Sequence, residues 1–143
     1  MKVELREQDF DCWKELAAYE KTLNPASFGA CSNFVGSMRD FNLGDTVSEM
    51  FLEHYPGMTD VQLKAIAKEA LQRWPLEGIM LIHRVGAIKP ADNIVITAAW
   101  SAHREDAFPA CRFLIEELKK SATFWKKETT SNKSRWVSES SSS

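Results

Sequence analysis

Basic side chains suited to binding an anion occur beside the ends of predicted elements. Arg39 lies in a loop after a predicted strand, and His103 and Arg104 lie where another predicted strand passes into a helix. The first turn of a helix offers free backbone N–H groups and the positive end of the helix dipole, so a phosphate bound there would meet several donors. The alternative is that His103 and Arg104 are ordinary polar residues at a helix start.

Lysines in the last third of the chain form a second group. Lys119 ends a predicted helix, and Lys126 and Lys127 follow the aromatic pair Phe124-Trp125, which could bury the segment. A crowded, partly buried lysine can act as a general acid–base or polarise a carbonyl near neutral pH. The structural alternative is a cation that suits the end of a helix dipole, followed by a solvated basic face.

Other chemistries have little support in the sequence. The three cysteines, Cys12, Cys31 and Cys111, form no C-x-x-C pair, and the three histidines fit no zinc spacing. The glycines match no nucleotide-binding motif. We therefore predict no cofactor and no metal site, with reduced thiols that act as small buried apolar groups.

Composition and charge limit the remaining functions. The chain has 143 residues and a net charge of −2, which argues against general binding to nucleic acid. The stretch 119–136 is basic, with Glu128 as its only acid, which favours a small anionic ligand or an acidic partner. RNA binding through this lysine- and tryptophan-containing stretch is a weaker alternative that predicts a steep dependence on salt.

The chain organisation predicts one domain over residues 1–137, followed by a disordered serine-rich tail over 138–143. The charged N-terminus is unlike a secretory signal, and no segment is apolar enough for a membrane span, so we expect a cytoplasmic protein.

Periodicity and turn signals give the elements that must position these side chains. Strands are predicted over 2–6, 28–35, 46–55, 78–85, 93–101, 123–128 and 134–137, with a polar loop over 36–45. In the strand over 46–55, Val47 is predicted to share a face with Glu49, Phe51 and Glu53. Because adjacent strands twice follow each other directly, the sheet must be partly antiparallel, and the fold class is α+β.

Three helices are also predicted. The first is capped by Asp9, the second covers 59–74 with a capping box formed by Thr59 and Gln62, and the third runs to about Lys120.

Several longer motifs resemble the large, catalytic subunits of molybdopterin synthases. They are NLGD (42–45), LEHYPGMT (52–59), RWPL (73–76), IHRVG (82–86), SAHR (101–104), FWKKE (124–128) and RW (135–136). The resemblance covers roughly residues 28–137, with the motifs in the family's order.

The resemblance implies a fold, partners and a reaction. The implied fold is an α/β hammerhead with an additional antiparallel β subdomain. The implied assembly is a homodimer of large subunits within a heterotetramer, in which each large subunit binds a small ubiquitin-like sulfur-carrier subunit. The carrier's Gly-Gly C-terminus is a thiocarboxylate that delivers sulfur to cyclic pyranopterin monophosphate, which becomes the dithiolene of molybdopterin.

The resemblance also implies roles for individual residues. Lys119 and Lys126 correspond to the family's catalytic lysines. Substrate-binding roles are implied for Ser37, Met38, Arg39, His103, Arg104, Lys127, Glu128 and Arg135. Many family members have lysine at the position of Ser37, so this chain carries one positive charge fewer there. A non-catalytic docking module for an acidic or ubiquitin-like tail is the alternative function.

Overall fold

The structure, a computed structural model, describes residues 1–130 and 133–137. The strands are β1 (Lys2–Arg6), β2 (Ala30–Ser37), β3 (Phe41–Asn42), β4 (Asp45–His54), β5 (Leu76–Arg84), β6 (Gly86–Ile88), β7 (Asn93–Ser101), β8 (Phe124–Thr130) and β9 (Ser134–Val137). The helices are α1 (Cys12–Glu20), α2 (Met58–Arg73) and α3 (Arg104–Ser121). None of these helices combines the length and the apolar character needed to cross a membrane. The serine-rich segment 138–143 lies outside the described residues.

A four-stranded sheet in the order β1-β5-β7-β2 forms the centre of the fold. β1 runs parallel to β5, whereas β5, β7 and β2 pair antiparallel. Strand β5 is apolar at consecutive positions because both faces of this sheet are covered. Ile79 and Leu81 pack into the core beneath α2 and α3, and Met80 and Ile82 pack with residues of α1.

A second, antiparallel sheet has the order β3-β4-β8-β9, with β6 also paired to β4. Its buried side chains Met50, Leu52 and Phe124 join the core of the first sheet. The β3–β4 hairpin turns through Leu43 and Gly44, both at positive φ, as a two-residue hairpin loop requires. The α+β class is confirmed, and this sheet is the additional antiparallel β subdomain that the resemblance implies.

Two details of the strand predictions are wrong. Residues 36–45 are not one loop, because Gly36 and Ser37 continue β2 and Phe41–Asn42 form β3. Val47 does not share the exposed face of Glu49, because a register shift between the two residues turns Val47 into the core.

Both predicted helix caps are also wrong. Asp11, not Asp9, caps α1, and its carboxylate accepts the N–H groups of Trp13 at 2.9 Å and Lys14 at 3.2 Å. At the start of α2, the Asp60 carboxylate accepts the Gly57 N–H at 3.0 Å. Thr59 and Gln62 do not form a capping box.

Candidate functional site

Strand β8 carries two of the predicted site residues, Lys126 and Lys127, on opposite faces of its sheet. Successive side chains of a strand point to opposite sides, and here Lys126 and Glu128 are buried while Trp125 and Lys127 face outward. Lys126 has no exposed surface, and Glu128 is 3% exposed. A buried lysine and a buried carboxylate one pleat apart are costly to desolvate, so they need charged or hydrogen-bonded neighbours.

The Glu128 carboxylate supplies the centre of that arrangement. Its Oε2 lies 3.6 Å from the Lys126 Nζ and accepts a hydrogen bond of 2.8 Å from the Asn42 side-chain amide. Its Oε1 accepts hydrogen bonds from the Arg135 Nε at 3.2 Å and Nη2 at 3.1 Å. One buried carboxylate thus links two cations and the β3 strand.

The guanidinium of Arg135 is held by the β3–β4 hairpin as well as by Glu128. Its Nη1 donates to the Asp45 carboxylate at 2.8 Å, and its Nη2 donates to the Asn42 carbonyl at 2.7 Å. Together with the bonds to Glu128, these contacts engage all three nitrogen atoms of the guanidinium group. In this chain Arg135 therefore stabilises the carboxylate beside Lys126, and its predicted role in binding substrate remains a prediction.

A narrow recess opens beside this cluster. Its lining includes Ser37, Met38, Arg39, Lys126 and Glu128, five of the ten predicted site residues. The enclosed volume is about 20 Å³, which is room for about one water molecule. A ligand that reaches the recess can therefore place about one atom inside it, with the rest of the ligand outside.

Backbone contacts hold the rim of this recess. The Met38 N–H donates to the Asp92 carbonyl at 2.9 Å, and the Met38 carbonyl accepts the Ala91 N–H at 3.0 Å. Met38 is buried, whereas Arg39 is exposed. The Ser37 hydroxyl is exposed and lies 3.4 Å from the Asn93 amide oxygen. An anion at the mouth would therefore meet Arg39 at the surface and Lys126 below it.

Lys119 lies in the last turn of α3 and is partly buried. The helix ends at Ser121 and β8 begins at Phe124, so a short corner of chain connects the helix that carries Lys119 to the strand that carries Lys126. Beside this corner the Phe124 ring stacks on His83, with centroids 4.2 Å apart and an interplanar angle of 17°. The sequence alone gave no indication of this stacking.

His103 and Arg104 lie at the other end of the central sheet. Ser37 pairs with Asn93, the first residue of β7, whereas His103 follows Ser101, the last residue of that strand. Eight residue steps along a strand span roughly 26 Å. Within one chain, the structure therefore does not bring His103 and Arg104 to the recess beside Arg39.

Lys127 is also separate from the recess. Its Nζ lies 5.8 Å from the centroid of the Trp136 ring. Glu49, Phe51 and Glu53 line the same outward groove. Adjacent residues of a strand point to opposite faces, so the predicted strand was sufficient to separate Lys126 from Lys127. Treating the two lysines as one group concealed this separation.

The cysteines and a larger cleft show no link to the lysine cluster. Burial, together with nearby carboxylates, raises the pKa of the Cys12 thiol to about 12, and burial raises the pKa of Cys111. Both thiols therefore stay protonated near neutral pH and are poor nucleophiles. Residues 1–130 and 133–137 contain no cluster of histidine, cysteine or acidic side chains arranged to hold a metal. A cleft of about 490 Å³ between Glu7 and Glu53 contains none of the predicted site residues.

Asn42 and Asp45 belong to the NLGD segment but have no predicted role in the site. Both residues hold the buried cluster through Glu128 and Arg135. The sequence feature that could have identified them is a two-residue turn with glycine at its second position. Such a turn places the flanking Asn42 and Asp45 side by side on neighbouring strands.

The relatives found by comparison with known proteins have descriptions that agree with one another. A family model described as MoaE protein matches residues 5–121. The molybdopterin synthase catalytic subunit of Ralstonia nicotianae is 47% identical over 135 residues, covering 94% of this chain and 76% of that protein. The protein of the same description from Escherichia coli K12 is 49% identical over 109 residues, covering 76% of this chain and 73% of that protein.

Solved structures agree with these sequence relatives. A molybdopterin biosynthesis MoaE protein from Burkholderia ambifaria is 43% identical, with a TM-score of 0.81 over 99% of this chain and 90% of that chain. The crystal structure of molybdopterin synthase from Staphylococcus aureus is 28% identical, with a TM-score of 0.84 over 96% of this chain and 98% of that chain. A complex of subunits 1 and 2 of the molybdopterin-converting factor from Helicobacter pylori, at 21% identity and a TM-score of 0.77, shares the fold.

Proposed function

The chain belongs to the MoaE protein family, and on this premise we propose that it is the catalytic subunit of a molybdopterin synthase. As a sulfurtransferase, it moves sulfur from the thiocarboxylated C-terminus of a small ubiquitin-like carrier to cyclic pyranopterin monophosphate. The single observation that carries this proposal is the fully buried Lys126 beside a recess whose rim holds Arg39. A buried cation beneath a surface arginine suits an anionic end group that must be held next to a reacting centre.

The proposed roles follow from the depth of each side chain. Arg39, at the surface, holds the phosphate of the pterin, and Lys126, at depth, lies beside the thiocarboxylate. Lys119 and Lys126 stabilise the oxyanions that develop during transfer and move protons. The carrier's sulfur is the nucleophile, which agrees with the raised pKa values of Cys12 and Cys111.

Glu128 and Arg135 keep Lys126 in place in this mechanism. The Glu128 carboxylate, 3.6 Å from the Lys126 Nζ, supplies the opposite charge that a buried ammonium group needs. Arg135 in turn prevents Glu128 from becoming an unpaired buried anion, and the Asn42 amide fixes its orientation. We thus assign Glu128 a positioning role beside its predicted contact with substrate.

Two copies of the chain are part of the proposal. Because His103 and Arg104 follow the end of β7 opposite to the end that pairs with Ser37 beside the recess, we propose that they serve the recess of the other large subunit in a homodimer. Each large subunit also binds one carrier, which gives a heterotetramer. We place this assembly in the cytoplasm, where the free cysteines remain reduced.

Mixing two inactive chains tests the dimer. Lys126→Ala inactivates the recess of the chain that carries it, and Arg104→Ala inactivates the recess of the partner chain. In a mixed dimer both substitutions affect the same recess, so the other recess is intact. We expect subunit exchange to restore about one quarter of wild-type turnover, since half of the dimers are mixed and each has one working recess. No recovery in verified mixed dimers would show that Arg104 acts within its own chain, and an active Arg104→Ala chain before mixing would show that Arg104 has no role in the site.

Substitution of Lys119 tests the catalytic role. Lys119→Ala is expected to abolish conversion of the precursor by thiocarboxylated carrier while the chain still folds and dimerises. Lys120→Ala is the matched control, because Lys120 is exposed on the same helix turn and pairs with Glu117 at 3.9 Å. Near-normal turnover by Lys119→Ala would contradict the role.

The same assay separates synthase from docking module. A docking module binds the carrier tail but forms no dithiolene when carrier and precursor are both supplied. Detection of the dithiolene product after incubation supports the synthase, and binding without product supports the alternative.

A further inference from the structure

The corner between the two proposed catalytic lysines has an unusual set of hydrogen bonds. The last helical hydrogen bond of α3 runs from the Ala122 N–H to the Leu118 carbonyl, and the ladder of β8 begins at Phe124. Thr123 lies between them, so neither the helix nor the sheet supplies partners for its backbone. Buried or partly buried backbone groups need partners from elsewhere.

Helix α2 supplies these partners through two side chains. The Gln62 side-chain oxygen accepts the Thr123 N–H at 2.8 Å, and its amide nitrogen donates to the Thr123 hydroxyl at 3.0 Å. The Thr59 hydroxyl donates to the Thr123 carbonyl at 3.0 Å and accepts the Tyr55 N–H at 2.9 Å. The N–H, the carbonyl and the hydroxyl of Thr123 are therefore all bonded to one neighbouring helix.

This attachment fixes the corner at a point close to both lysines. Lys119 lies four residues before Thr123 and Lys126 lies three residues after it. A change in the backbone at Thr123 would alter the direction in which β8 leaves α3, and with it the separation of the two ammonium groups. Placement errors of about 1 Å can cost a catalyst on the order of a hundredfold in rate.

We propose that Gln62 is a positioning residue for sulfur transfer, holding the Thr123 corner so that Lys119 and Lys126 act on the same bound thiocarboxylate. This inference rests on the proposed function, since it presumes that the two lysines are catalytic. In this proposal Gln62 acts through the backbone of Thr123, which connects the segments that carry the two lysines.

The test compares three variants in the complete complex with thiocarboxylated carrier and precursor. Gln62→Ala removes both bonds to Thr123, and Gln62→Glu keeps an acceptor for the Thr123 N–H. Gln72→Ala is the matched control, because it makes the same change at an exposed position of α2. We measure kcat, KM for the precursor, the pH profile of kcat and the melting temperature.

The expected result is a loss confined to turnover. Gln62→Ala should lower kcat by about tenfold or more and shift its pH profile, with KM changed by less than about threefold. Gln62→Glu should recover kcat to within about threefold of wild type, and Gln72→Ala should match wild type. If Gln62→Ala does not fold, Thr123→Val decides, because it deletes only the side-chain contacts of Thr123, with the Gln62 amide and the Met58 sulfur, and it should lower kcat by about threefold.

Two results would overturn the inference. One is wild-type kcat in a folded Gln62→Ala variant, or in Thr123→Val if that variant must decide. The other is a loss of kcat that Gln62→Glu does not recover. Lys119→Ala separates this failure from that of the proposed function: an inactive Lys119→Ala beside a normal Gln62→Ala removes only the positioning role, whereas an active Lys119→Ala removes the catalytic assignment itself.

Discussion

The two faces of β8 place chemically identical neighbours in opposite surroundings. Lys126 points inward, has no exposed surface and lies 3.6 Å from the buried carboxylate of Glu128. Lys127 points outward and lies near the ring of Trp136. Because one strand carries both lysines, the alternation of the strand alone decides that Lys126 and not Lys127 lines the recess.

The strongest test of this comparison replaces each lysine in turn. Lys126→Met keeps much of the side-chain volume but removes the ammonium group from the recess, so we expect turnover to fall by about a hundredfold or more. Lys127→Met is the matched change on the outer face and should keep kcat within about threefold, whereas loss of the predicted contact of Lys127 with substrate would raise KM. Steady-state dithiolene formation measures both. Equal losses in the two variants would show that the inner face has no special role.

The carboxylates on the two faces give the next largest difference. Glu128→Gln removes the charge that faces Lys126 and Arg135, so we expect the free energy of unfolding to fall by about 2–4 kcal/mol. Glu49→Gln makes the same change on the exposed face and should alter that free energy by less than about 0.5 kcal/mol. Urea unfolding followed by circular dichroism measures both. A Glu128→Gln variant as stable as wild type would mean that the buried cluster contributes little.

A smaller change concerns the charge at the mouth of the recess. Ser37→Lys adds a cation beside Arg39, so KM for the phosphorylated precursor should fall by about two- to fivefold at low salt and less at high salt. Ser48→Lys adds the same charge at an exposed position of β4 away from the recess and should leave KM unchanged. If both variants lower KM equally, the effect comes from net charge and not from the recess.

The smallest effect on activity is expected for the buried thiols. Cys12→Ala should keep turnover within about twofold, because the proposed mechanism uses no sulfur of this chain. Burial raises the pKa of Cys12 from 9.0 to about 12, so its contribution to stability is complete below pH 9.0 and is lost as the pH rises toward about 12. Denaturant midpoints across this pH range should therefore decline more steeply for wild type than for Cys12→Ala. A folded but inactive Cys12→Ala would instead indicate a sulfur relay through the thiol.

Local patterns predicted most of the elements because their signals are strong. The apolar run over 93–101 matches β7 at both ends, and the apolar stripe over 59–74 matches α2 to within one residue at each end. The caps were mispredicted because the same side chains had tertiary partners. Thr59 and Gln62 bond to Thr123, and Asp9 lies 3.3 Å from the guanidinium of Arg84. Local propensity cannot include such contacts.

The candidate site was predictable in its residue types but not in its grouping. Sequence spacing indicated cations at Arg39, His103 and Lys126 without indicating which ends of the sheet they share. The pairing of β2 with β7 places Arg39 and His103 at opposite ends of one strand. The contacts of Glu128 with Asn42 and Arg135 join segments far apart in the sequence, so they follow from the fold and not from any local motif.

The central claim is that the thiocarboxylate end of the carrier reaches the recess beside Lys126 and Arg39. A crystal structure of the chain with the carrier and the phosphorylated precursor tests it most directly. We expect the carrier's terminal carbonyl to lie within hydrogen-bonding distance of the Lys126 Nζ, with the phosphate against Arg39. A carrier tail seated in the larger cleft between Glu7 and Glu53, with the Lys126 recess unoccupied, would contradict it.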